Sequence, residues 1–325
     1  MIIGLTYDLR QDYLDAGYNK EQTAEFDRPD TIETIEQALH NMGHQTRRIG
    51  NVKSLVQQLA AGERWDLVFN ICEGLFGLGR EAQVPALLDA FQIPYTFSGP
   101  LILALALDKA LTKTVVRSFH VPTPDFAVVA GREDIAAINL PFPLFAKPLA
   151  EGTGKGIDAR SKVDSKQQLA VVCAELLDKF QQPVLVETYL SGREFTVGIV
   201  GSGREGEVIG VMEVILKPEA EAHAYSYVNK DNYEDFVHYA LAPEVEARLC
   251  SDVALRAWRG LGCLDAGRVD VKMDDAGIVN FIEINPLAGL NHVHSDLPIM
   301  CRLQGISFQT LIERIMASAC ARMPR

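Results

Sequence analysis

The sequence lacks the features that mark membrane, secreted and nucleic-acid-binding proteins. None of its apolar runs reaches the roughly 18 residues that a membrane-spanning helix needs. The N-terminus, MIIGLTYDL, has neither the charged segment nor the long apolar stretch of a signal peptide. Dense Lys/Arg runs are absent and the formal net charge is −12, unlike a nucleic-acid-binding surface. We therefore expect a cytoplasmic protein whose partners include neither nucleic acid nor membrane.

Cysteine motifs and the common nucleotide-binding motifs are missing as well. The 6 cysteines are scattered without CxxC spacing, which argues against structural zinc and against a disulfide framework. The chain contains no Walker A loop, and no GxGxxG follows its first strand, so neither a P-loop nor a dinucleotide fold is supported. The composition, 48% hydrophobic and 23% charged, is that of an ordinary globular protein. A length of 325 residues suffices for two or three domains.

The first hundred residues alternate between predicted strands and helices. Ile2–Thr6 and Leu67–Ile71 have the pattern of buried strands, and short loops join such strands to helices, which predicts a parallel α/β layer. Ligands of such layers lie at the carboxyl ends of the strands. Asp8, Arg10 and Glu73 follow strand ends and are therefore candidate substrate residues, although each taken singly is more typical of a solvated loop charge.

Capping, periodicity and polarity predict three further segments. The capping-box spacing of Asp30 and Glu33 predicts a helix with Asp30 as its N-cap. The apolar stretch from Leu101 to Phe119 predicts a single helix. The polar segment from Lys217 to Pro243 predicts a long mobile loop of the kind that covers active sites.

A glycine-rich loop follows an apolar strand that contains a lysine. The strand LFAKP, residues 144–148, precedes EGTGKG at residues 151–156. Three glycines in five residues let backbone N–H groups approach an anion closely. The loop alone is typical of a turn, but Lys147 in an apolar strand needs an anionic partner. The two features together favour an anion site.

The stretch GRVDVKMDDAGIVNFIEINPLAG, residues 267–289, has the pattern of a β-hairpin. Two segments alternate charged and apolar residues, and DDAG between them supplies turn chemistry. Because side chains alternate faces along a strand, one face of the hairpin is expected to pack into a core. The residues predicted for that face are Val269, Val271, Ile282 and Ile284.

The other face of the hairpin carries polar residues. A turn centred on residues 276–277 places Asp270 opposite Glu283 and Arg268 opposite Asn285. Opposed residues have Cβ atoms roughly 5 Å apart, so two carboxylates repel unless a cation lies between them. A hard divalent cation that also binds Asn285, with Arg268 as a fixed charge beside it, is one interpretation. An ordinary hairpin with a solvated polar face is the other.

Several motifs occur in an order that resembles the ATP-grasp superfamily. They are LFAKP with its glycine loop, VLVETYLSGREFTVGI, GRVDV and FIEINPLAG. Through IPYTFSG at residues 93–99 and LDK at residues 107–109 the chain also resembles the D-alanine–D-alanine ligase family. The resemblance implies an α/β ATP-grasp fold and a homodimer. Its N-terminal parallel α/β (pre-ATP-grasp) domain would span residues 1–100, and two α+β subdomains, residues 101–190 and 191–325, would clasp ATP.

The same resemblance implies roles for individual residues. Those implied to hold ATP are Lys109 and Lys147 at the phosphates, Gly152, Thr153, Gly154 and Gly156 in the loop over them, Glu187, Tyr189 and Leu190 around the adenine, and Glu194 at the ribose. Those implied to hold one or two Mg²⁺ ions, or Mn²⁺ in their place, are Asp270, Glu283 and Asn285. Those implied for catalysis are Lys230 on the mobile loop, Arg268, and the backbone N–H of Gly289 at an oxyanion.

The implied reaction is an ADP-forming ligation through an acyl phosphate. A substrate carboxylate attacks the γ-phosphate of ATP, and an amine then attacks the acyl carbon and releases phosphate. Positioning, charge neutralisation and exclusion of water govern such transfer. Two alternatives stay open: a true D-alanine–D-alanine ligase of cell-wall synthesis, and a non-catalytic nucleotide-binding protein, against which the retained Arg268 argues.

The substrate motifs depart from the family pattern, whereas the nucleotide motifs are kept. The family's glycine-rich stretch after the first strand, whose Glu takes the substrate ammonium, is replaced by TYDLR at residues 6–10. The family's His-Gly becomes Glu73-Gly74, and its carboxylate-binding serine matches Ser295 with a displacement of one position. We therefore expect a poor D-alanine–D-alanine ligase that acts on other amino acids or a small peptide, with Arg10 attracting a second carboxylate.

Overall fold

Three β-sheets organise the chain. The computed structural model describes residues 1–220, 229 and 233–323. The sheets lie within residues 2–71, 126–188 and 194–285, so each falls inside one of the three ranges expected for the domains. The domain boundaries themselves stay predictions. No helix in the described part of the chain is both long enough and apolar enough to cross a membrane.

The N-terminal sheet is parallel, which confirms the predicted α/β layer. Its strand order is β2-β1-β3, and both pairings of the central strand are parallel. The elements are β1 (Ile2–Tyr7), α1 (Arg10–Asp15), α2 (Pro29–Asn41), β2 (Gln45–Gly50), α3 (Val52–Ala60), β3 (Leu67–Ile71) and α4 (Gln83–Ala90). Apolar side chains of β1, α2 and β3, among them Ile3, Ile35 and Phe69, form the core beneath the sheet.

The start of α2 differs from the prediction. Asp30 is not the N-cap, because Pro29 occupies the first turn and Arg28 stands in the cap position without a side-chain hydrogen bond. The fixed φ of proline suits the first position of a helix, so the helix begins two residues earlier than expected. Asp30 then lies inside the first turn, where a negative charge is favourable.

The central sheet is antiparallel with the order β4-β7-β5-β6. Its elements are α5 (Pro100–Leu107), α6 (Lys109–Ser118), β4 (Phe126–Val129), β5 (Leu144–Pro148), β6 (Lys162–Val163), α7 (Lys166–Phe180) and β7 (Val184–Thr188). The single helix expected from Leu101 to Phe119 is wrong, because the chain breaks at Asp108. The Asp108 carboxylate accepts a hydrogen bond from the backbone N–H of Leu111 and caps α6, which Lys109 therefore opens.

The C-terminal sheet is antiparallel with the order β10-β9-β8-β11-β12. Its strands are β8 (Glu194–Val200), β9 (Glu207–Leu216), β10 (Val237–Leu241), β11 (Ala266–Met273) and β12 (Val279–Asn285), and its helices are α8 (Tyr233–Phe236), α9 (Glu244–Leu261), α10 (Asp296–Leu303) and α11 (Phe308–Ala321). The predicted loop 217–243 is wrong at β10, which pairs with β9. Residues 221–228 and 230–232 of that loop lie outside the described residues.

Candidate active site

Two cavities meet along the β11–β12 hairpin. The aromatic cavity is lined by the central sheet and the hairpin, and its walls include Phe145, Tyr189 and Ile282. The acidic cavity is lined by the N-terminal layer, the glycine-rich loop and the end of the hairpin. Three residues line both cavities: Lys109, Glu151 and Glu283. A molecule in one cavity would therefore lie next to a molecule in the other.

The register of the hairpin confirms the predicted pairing. Asp270 lies opposite Glu283, and Arg268 lies opposite Asn285. The register then shifts between Asp270 and Val271, so that Ile282 is the extra residue of a β-bulge. The prediction that Ile282 faces the core is wrong for this reason. Its side chain lines the aromatic cavity, whereas the other three predicted core residues are buried.

Hydrogen bonds and ion pairs fix the carboxylate of Asp270. It accepts from Thr196 Oγ1 at 2.9 Å and from Arg268 Nη1 at 2.7 and 3.0 Å, and Asn285 Nδ2 lies 3.3 Å away. Arg268 also pairs with Asp296 at 3.1 Å. Its guanidinium is thus held at the border of the two cavities, where it faces the predicted metal residues.

The donor set at the hairpin fits a hard cation. Asp270, Glu283 and Asn285 offer carboxylate and amide oxygens, which Mg²⁺ prefers. Within residues 1–220, 229 and 233–323, no group of three or more His, Cys, Asp or Glu side chains could hold a metal by itself. With one oxygen each, two carboxylates and an amide leave half of an octahedral shell to phosphate oxygens and water, which Mg²⁺ usually retains. Metal binding at the hairpin stays a prediction, with which the positions of these three side chains are compatible.

The aromatic cavity has the shape and chemistry of a nucleoside site. The rings of Phe145 and Tyr189 stack with centroids 6.3 Å apart, and Leu190 closes the same wall. Glu194 pairs with Lys272 at 2.9 Å at the opposite side. The residues predicted for adenine and ribose thus line one cavity, where apolar surface is next to charged groups.

A buried charge triad joins the aromatic cavity to helix α6. Lys147 and Lys113 each pair with one oxygen of Glu187, at 2.8 and 2.9 Å. Burial alone would raise the pKa of Glu187, but the two ammonium groups hold it at about 2. Burial lowers the pKa of Lys113 to about 8, and Glu187 only partly offsets this effect. With both lysines protonated the triad carries one net positive charge, which suits a phosphate.

The family resemblance implied a place for Glu187 beside the adenine, and the sequence analysis did not single out Lys113. The side chain of Glu187 is instead the shared partner of two lysines. Lys113 also donates to Thr123 Oγ1 at 2.9 Å and lies 3.4 Å from the carbonyl of Phe281, so it connects α6, β7 and β12. The sequence could have indicated Lys113 by its position one helical turn after Lys109, which places both lysines on the same face of the helix.

The glycine-rich loop lies between the two cavities. A Cβ at Gly156 would stand 2.5 Å from Pro148 Cγ, and φ there is 74°, so this position requires glycine. A Cβ at Gly152 would stand 2.1 Å from Glu25 Oε1, so any side chain there would displace the Glu25 carboxylate. Thr153 Oγ1 is buried and has no hydrogen-bond partner in the described part of the chain. An orphaned hydroxyl and the Lys109 ammonium beside the loop fit a phosphate group, which supplies acceptor oxygens.

The acidic cavity gathers most of the predicted substrate and oxyanion residues. Arg10, Glu73, Arg268, Gly289 and Ser295 all line it. Burial and then neighbouring carboxylates raise the pKa of Glu73 well above its usual value. Lys230 lies outside the described residues.

Asp8 is a correction to the predicted substrate residues. Its side chain is 1% exposed and is not part of the cavity wall. The carboxylate instead accepts hydrogen bonds from Tyr13 Oη, from Cys72 Sγ at 3.0 Å and from the backbone N–H of Gly74 at 2.8 Å. Asp8 therefore anchors the turn that presents Glu73 to the cavity.

Glu25 is the residue that sequence reasoning missed. Its carboxylate lines the acidic cavity and pairs with Arg80 at 3.2 Å and with Lys155 at 3.0 Å. Burial alone would raise its pKa, but these two cations hold it at about 2. Glu25 lies in the segment between α1 and α2, and α1 separates this segment from β1, so a search directly after the first strand could not find it. The feature of the sequence that could have indicated Glu25 is its position a few residues before the N-terminus of α2.

Comparisons with known proteins found a matching family model and similar sequences. The family model described as D-ala D-ala ligase C-terminus matches residues 115–317. A D-alanine–D-alanine ligase of Syntrophotalea carbinolica is 32% identical over 292 residues, which cover 90% of this chain and 91% of that protein.

Solved structures with similar folds include two ligases. One is the D-alanine–D-alanine ligase of Bacillus anthracis complexed with ATP, with a TM-score of 0.73 and 20% identity over 99% of this chain and 97% of that chain. The other is the VanG D-Ala:D-Ser ligase of Enterococcus faecalis, with a TM-score of 0.74 and 19% identity over 98% and 99%. At this identity they bear on the fold alone, and they confirm the predicted ATP-grasp architecture.

Proposed function

The chain belongs to the D-alanine–D-alanine ligase family, and we propose that it joins the carboxylate of one small amino acid to the amine of another. It is an ADP-forming ATP-grasp ligase that uses ATP and Mg²⁺. The observation that supports the proposed division of labour is the shared wall of the two cavities, formed by Lys109, Glu151 and Glu283. A carboxylate in the acidic cavity would lie beside a nucleotide phosphate in the aromatic cavity.

Residues at and near the shared wall would have different roles in the reaction. ATP supplies the phosphoryl group that activates the carboxylate, and Asp270, Glu283 and Asn285 would hold the Mg²⁺ that neutralises its charge. Arg268, fixed by Asp270 and Asp296, would stabilise the oxyanion that forms when the amine attacks. The backbone N–H of Gly289, which lines the same cavity, would be the second donor.

The charge of the acidic cavity supports substrates that carry no extra negative charge. Nine carboxyl side chains line it in the described part of the chain, against four side chains of Lys and Arg. Burial raises the pKa of three of the nine, Asp27, Glu73 and Glu81, which reduces their negative charge, but the other six still outnumber the four cations. The carboxylates are Glu25, Asp27, Glu73, Glu81, Glu151, Glu234, Asp235, Glu283 and Asp296. A substrate ammonium is attracted by this wall, whereas a second carboxylate on the substrate is repelled. Arg10 lines the cavity, but the surrounding charge disfavours the expected attraction of such a carboxylate.

Glu25 is the carboxylate we propose for the first substrate's ammonium. It lies beside the glycine-rich loop, so an amino group there would hold the attached carboxylate close to the phosphate site. The prediction of a poor D-alanine–D-alanine ligase rested on a missing carboxylate. With Glu25 in the cavity, D-alanine is a natural first test substrate, and the preference for other amino acids stays a prediction.

A substrate screen tests this proposal. The purified protein is incubated with ATP, Mg²⁺ and pairs of neutral, basic and acidic amino acids in both configurations, and ADP release and amide products are measured. We expect products from neutral or basic D-amino acids and none from acidic ones. Products formed only from acidic amino acids would contradict the proposed selectivity, and ADP release without any amide would contradict the proposed ligation.

A cytoplasmic location and a homodimer are proposed on the family resemblance. Small-molecule substrates follow from the same resemblance. Light scattering of the purified chain tests the homodimer, because a dimer has twice the 35.8 kDa of the monomer. A monomeric mass at micromolar concentration would contradict it.

A further inference from the structure

Lys155 lies in the wall that separates the two cavities. The residue lines the aromatic cavity, while its ammonium pairs with Glu25, which lines the acidic cavity, at 3.0 Å. The same ammonium lies 2.6 Å from Glu151, which lines both cavities. The side chain is 7% exposed. One buried cation is thus in direct contact with both proposed binding sites.

The carboxylate of Glu25 is engaged by two cations that differ in their attachment. Arg80 is 7% exposed, and its guanidinium donates from Nη1 to the carbonyl of Ala150 at 3.0 Å and pairs through Nη2 with Glu25, so both terminal nitrogens are held. Lys155 belongs to the glycine-rich loop, and its neighbours Gly154 and Gly156 both have positive φ, at 70° and 74°. Lys155 is therefore the partner of Glu25 that can leave while Arg80 stays.

We propose that Lys155 is a positioning residue that changes partners when the nucleotide binds. Its ammonium leaves Glu25 for the phosphate oxygens, and the freed side of Glu25 accepts the amino group of the substrate. This inference rests on the proposed function, because it takes the aromatic cavity as the ATP site and Glu25 as the ammonium site. It goes beyond that function by assigning the coupling between the two sites to one side chain.

Charge balance favours this exchange. A triphosphate presents several negative charges, whereas Glu25 and Glu151 present one each and Arg80 already shares that of Glu25. The phosphates are therefore the stronger attraction for the ammonium, which can stay beside Glu151 when it leaves Glu25. The flexible four-carbon stem of lysine allows its head group to move without movement of the whole loop. The substrate ammonium then replaces the charge that Lys155 withdraws, which keeps Glu25 paired within the protein interior.

The exchange makes the two binding events cooperative. If the nucleotide removes Lys155 from Glu25, then bound nucleotide strengthens binding of an amine, and an amine strengthens nucleotide binding by the same factor. In the protein alone, Glu25 must compete with the nucleotide for Lys155. Removing the charge of Glu25 is therefore expected to strengthen nucleotide binding, but only when Lys155 is present.

A double-mutant cycle tests the exchange without any amino-acid substrate. The dissociation constant of the magnesium complex of adenylyl imidodiphosphate, a non-hydrolysable ATP analogue, is measured by calorimetry for four proteins. They are the native chain, Glu25→Gln, Lys155→Met and the double variant. Lys166→Met serves as the matched control, because Lys166 is an exposed lysine at the start of α7. Thermal unfolding establishes that each variant is folded.

We expect Glu25→Gln to tighten analogue binding by about fivefold and Lys155→Met to weaken it by a similar factor. In the Lys155→Met background, Glu25→Gln is expected to change nothing. Equal effects of Glu25→Gln in both backgrounds would reveal a general electrostatic effect and overturn the proposal, as would unchanged affinity in Lys155→Met. Because no amino acid is present, a failed substrate screen leaves this result unaffected, so the two failures are distinguishable.

Discussion

Lys147 lies at the proposed phosphate end of the aromatic cavity. It is buried, it lines the cavity, and Glu187 is its partner at 2.8 Å. We expect Lys147→Met to lose about 2 kcal/mol or more of nucleotide binding free energy. Folding should persist, since Lys113 still neutralises Glu187. Calorimetry with ATP checks this, and unchanged affinity in the folded variant would contradict it.

Glu283 differs from Lys147 because its proposed role is to hold the metal rather than the nucleotide itself. It lies opposite Asp270 and lines both cavities. We expect Glu283→Gln to abolish turnover while binding of metal-free ATP remains close to that of the native protein. ADP release and calorimetry in the presence of a chelator measure the two properties. Native turnover in the variant would show that the opposed carboxylates are not the metal site.

At the scale of the element, the bulge in β12 places the side chains of two isoleucines in different environments. Ile282 lines the aromatic cavity, whereas Ile284 is 3% exposed and packs in the core. We expect Ile284→Ala to cost about 2–5 kcal/mol of unfolding free energy. Ile282→Ala should raise KM for ATP with a much smaller loss of stability, because its side chain contacts the ligand space.

Denaturant unfolding and steady-state kinetics on this pair check the position of the bulge. The two variants remove the same atoms, so each is the other's control. If Ile282→Ala were as destabilising as Ile284→Ala and left KM unchanged, the uninterrupted alternation expected from the sequence would be correct after all.

The same hairpin shows what sequence alone can predict. Alternation of charged and apolar residues fixes which side chains share a face, so the polar face was predictable. The bulge was not predictable, because alternation along a sequence does not show which strand carries an extra residue. Near the turn Met273 pairs with Val279, and the bulge is what brings Asp270 opposite Glu283. The break at Asp108 was hidden for a similar reason: the apolar run across it suits one long helix or two short ones.

At the scale of the whole molecule, contacts between distant segments carried the information that sequence lacked. Glu25 meets Arg80 and Lys155, which follow it by 55 and 130 residues. No pattern in the neighbouring sequence predicts a contact between residues so far apart in the chain. The residues proposed for the nucleotide could be located from the sequence because they lie in continuous motifs on or beside strands. The acidic cavity, in contrast, is assembled from segments that are distant in the sequence.

Buried carboxylates also make the stability of the molecule depend on pH. The pKa of Glu187 falls from its ordinary value of 4.5 to about 2 in the folded protein. A folded pKa below the unfolded one stabilises the protein above pH 4.5, and this contribution is lost as the pH falls towards 2.

We therefore expect the difference in unfolding free energy between the native protein and Glu187→Gln to be largest near neutral pH and to shrink between pH 4.5 and 2. Urea unfolding across this range measures it. Glu63→Gln, at an exposed glutamate, is the control and should show no such trend. A difference that stays constant as the pH falls would contradict the lowered pKa.

The path of one oxygen atom tests the proposed ligation most directly. The amino acid that the substrate screen identifies is supplied with both carboxylate oxygens as oxygen-18, together with ATP and Mg²⁺, and the released phosphate is analysed by mass spectrometry. If the carboxylate attacks the γ-phosphate and the amine then displaces phosphate, each phosphate released carries one oxygen-18 atom, in step with amide formation. Unlabelled phosphate would show that water, and not the carboxylate, attacks ATP, and would contradict the account.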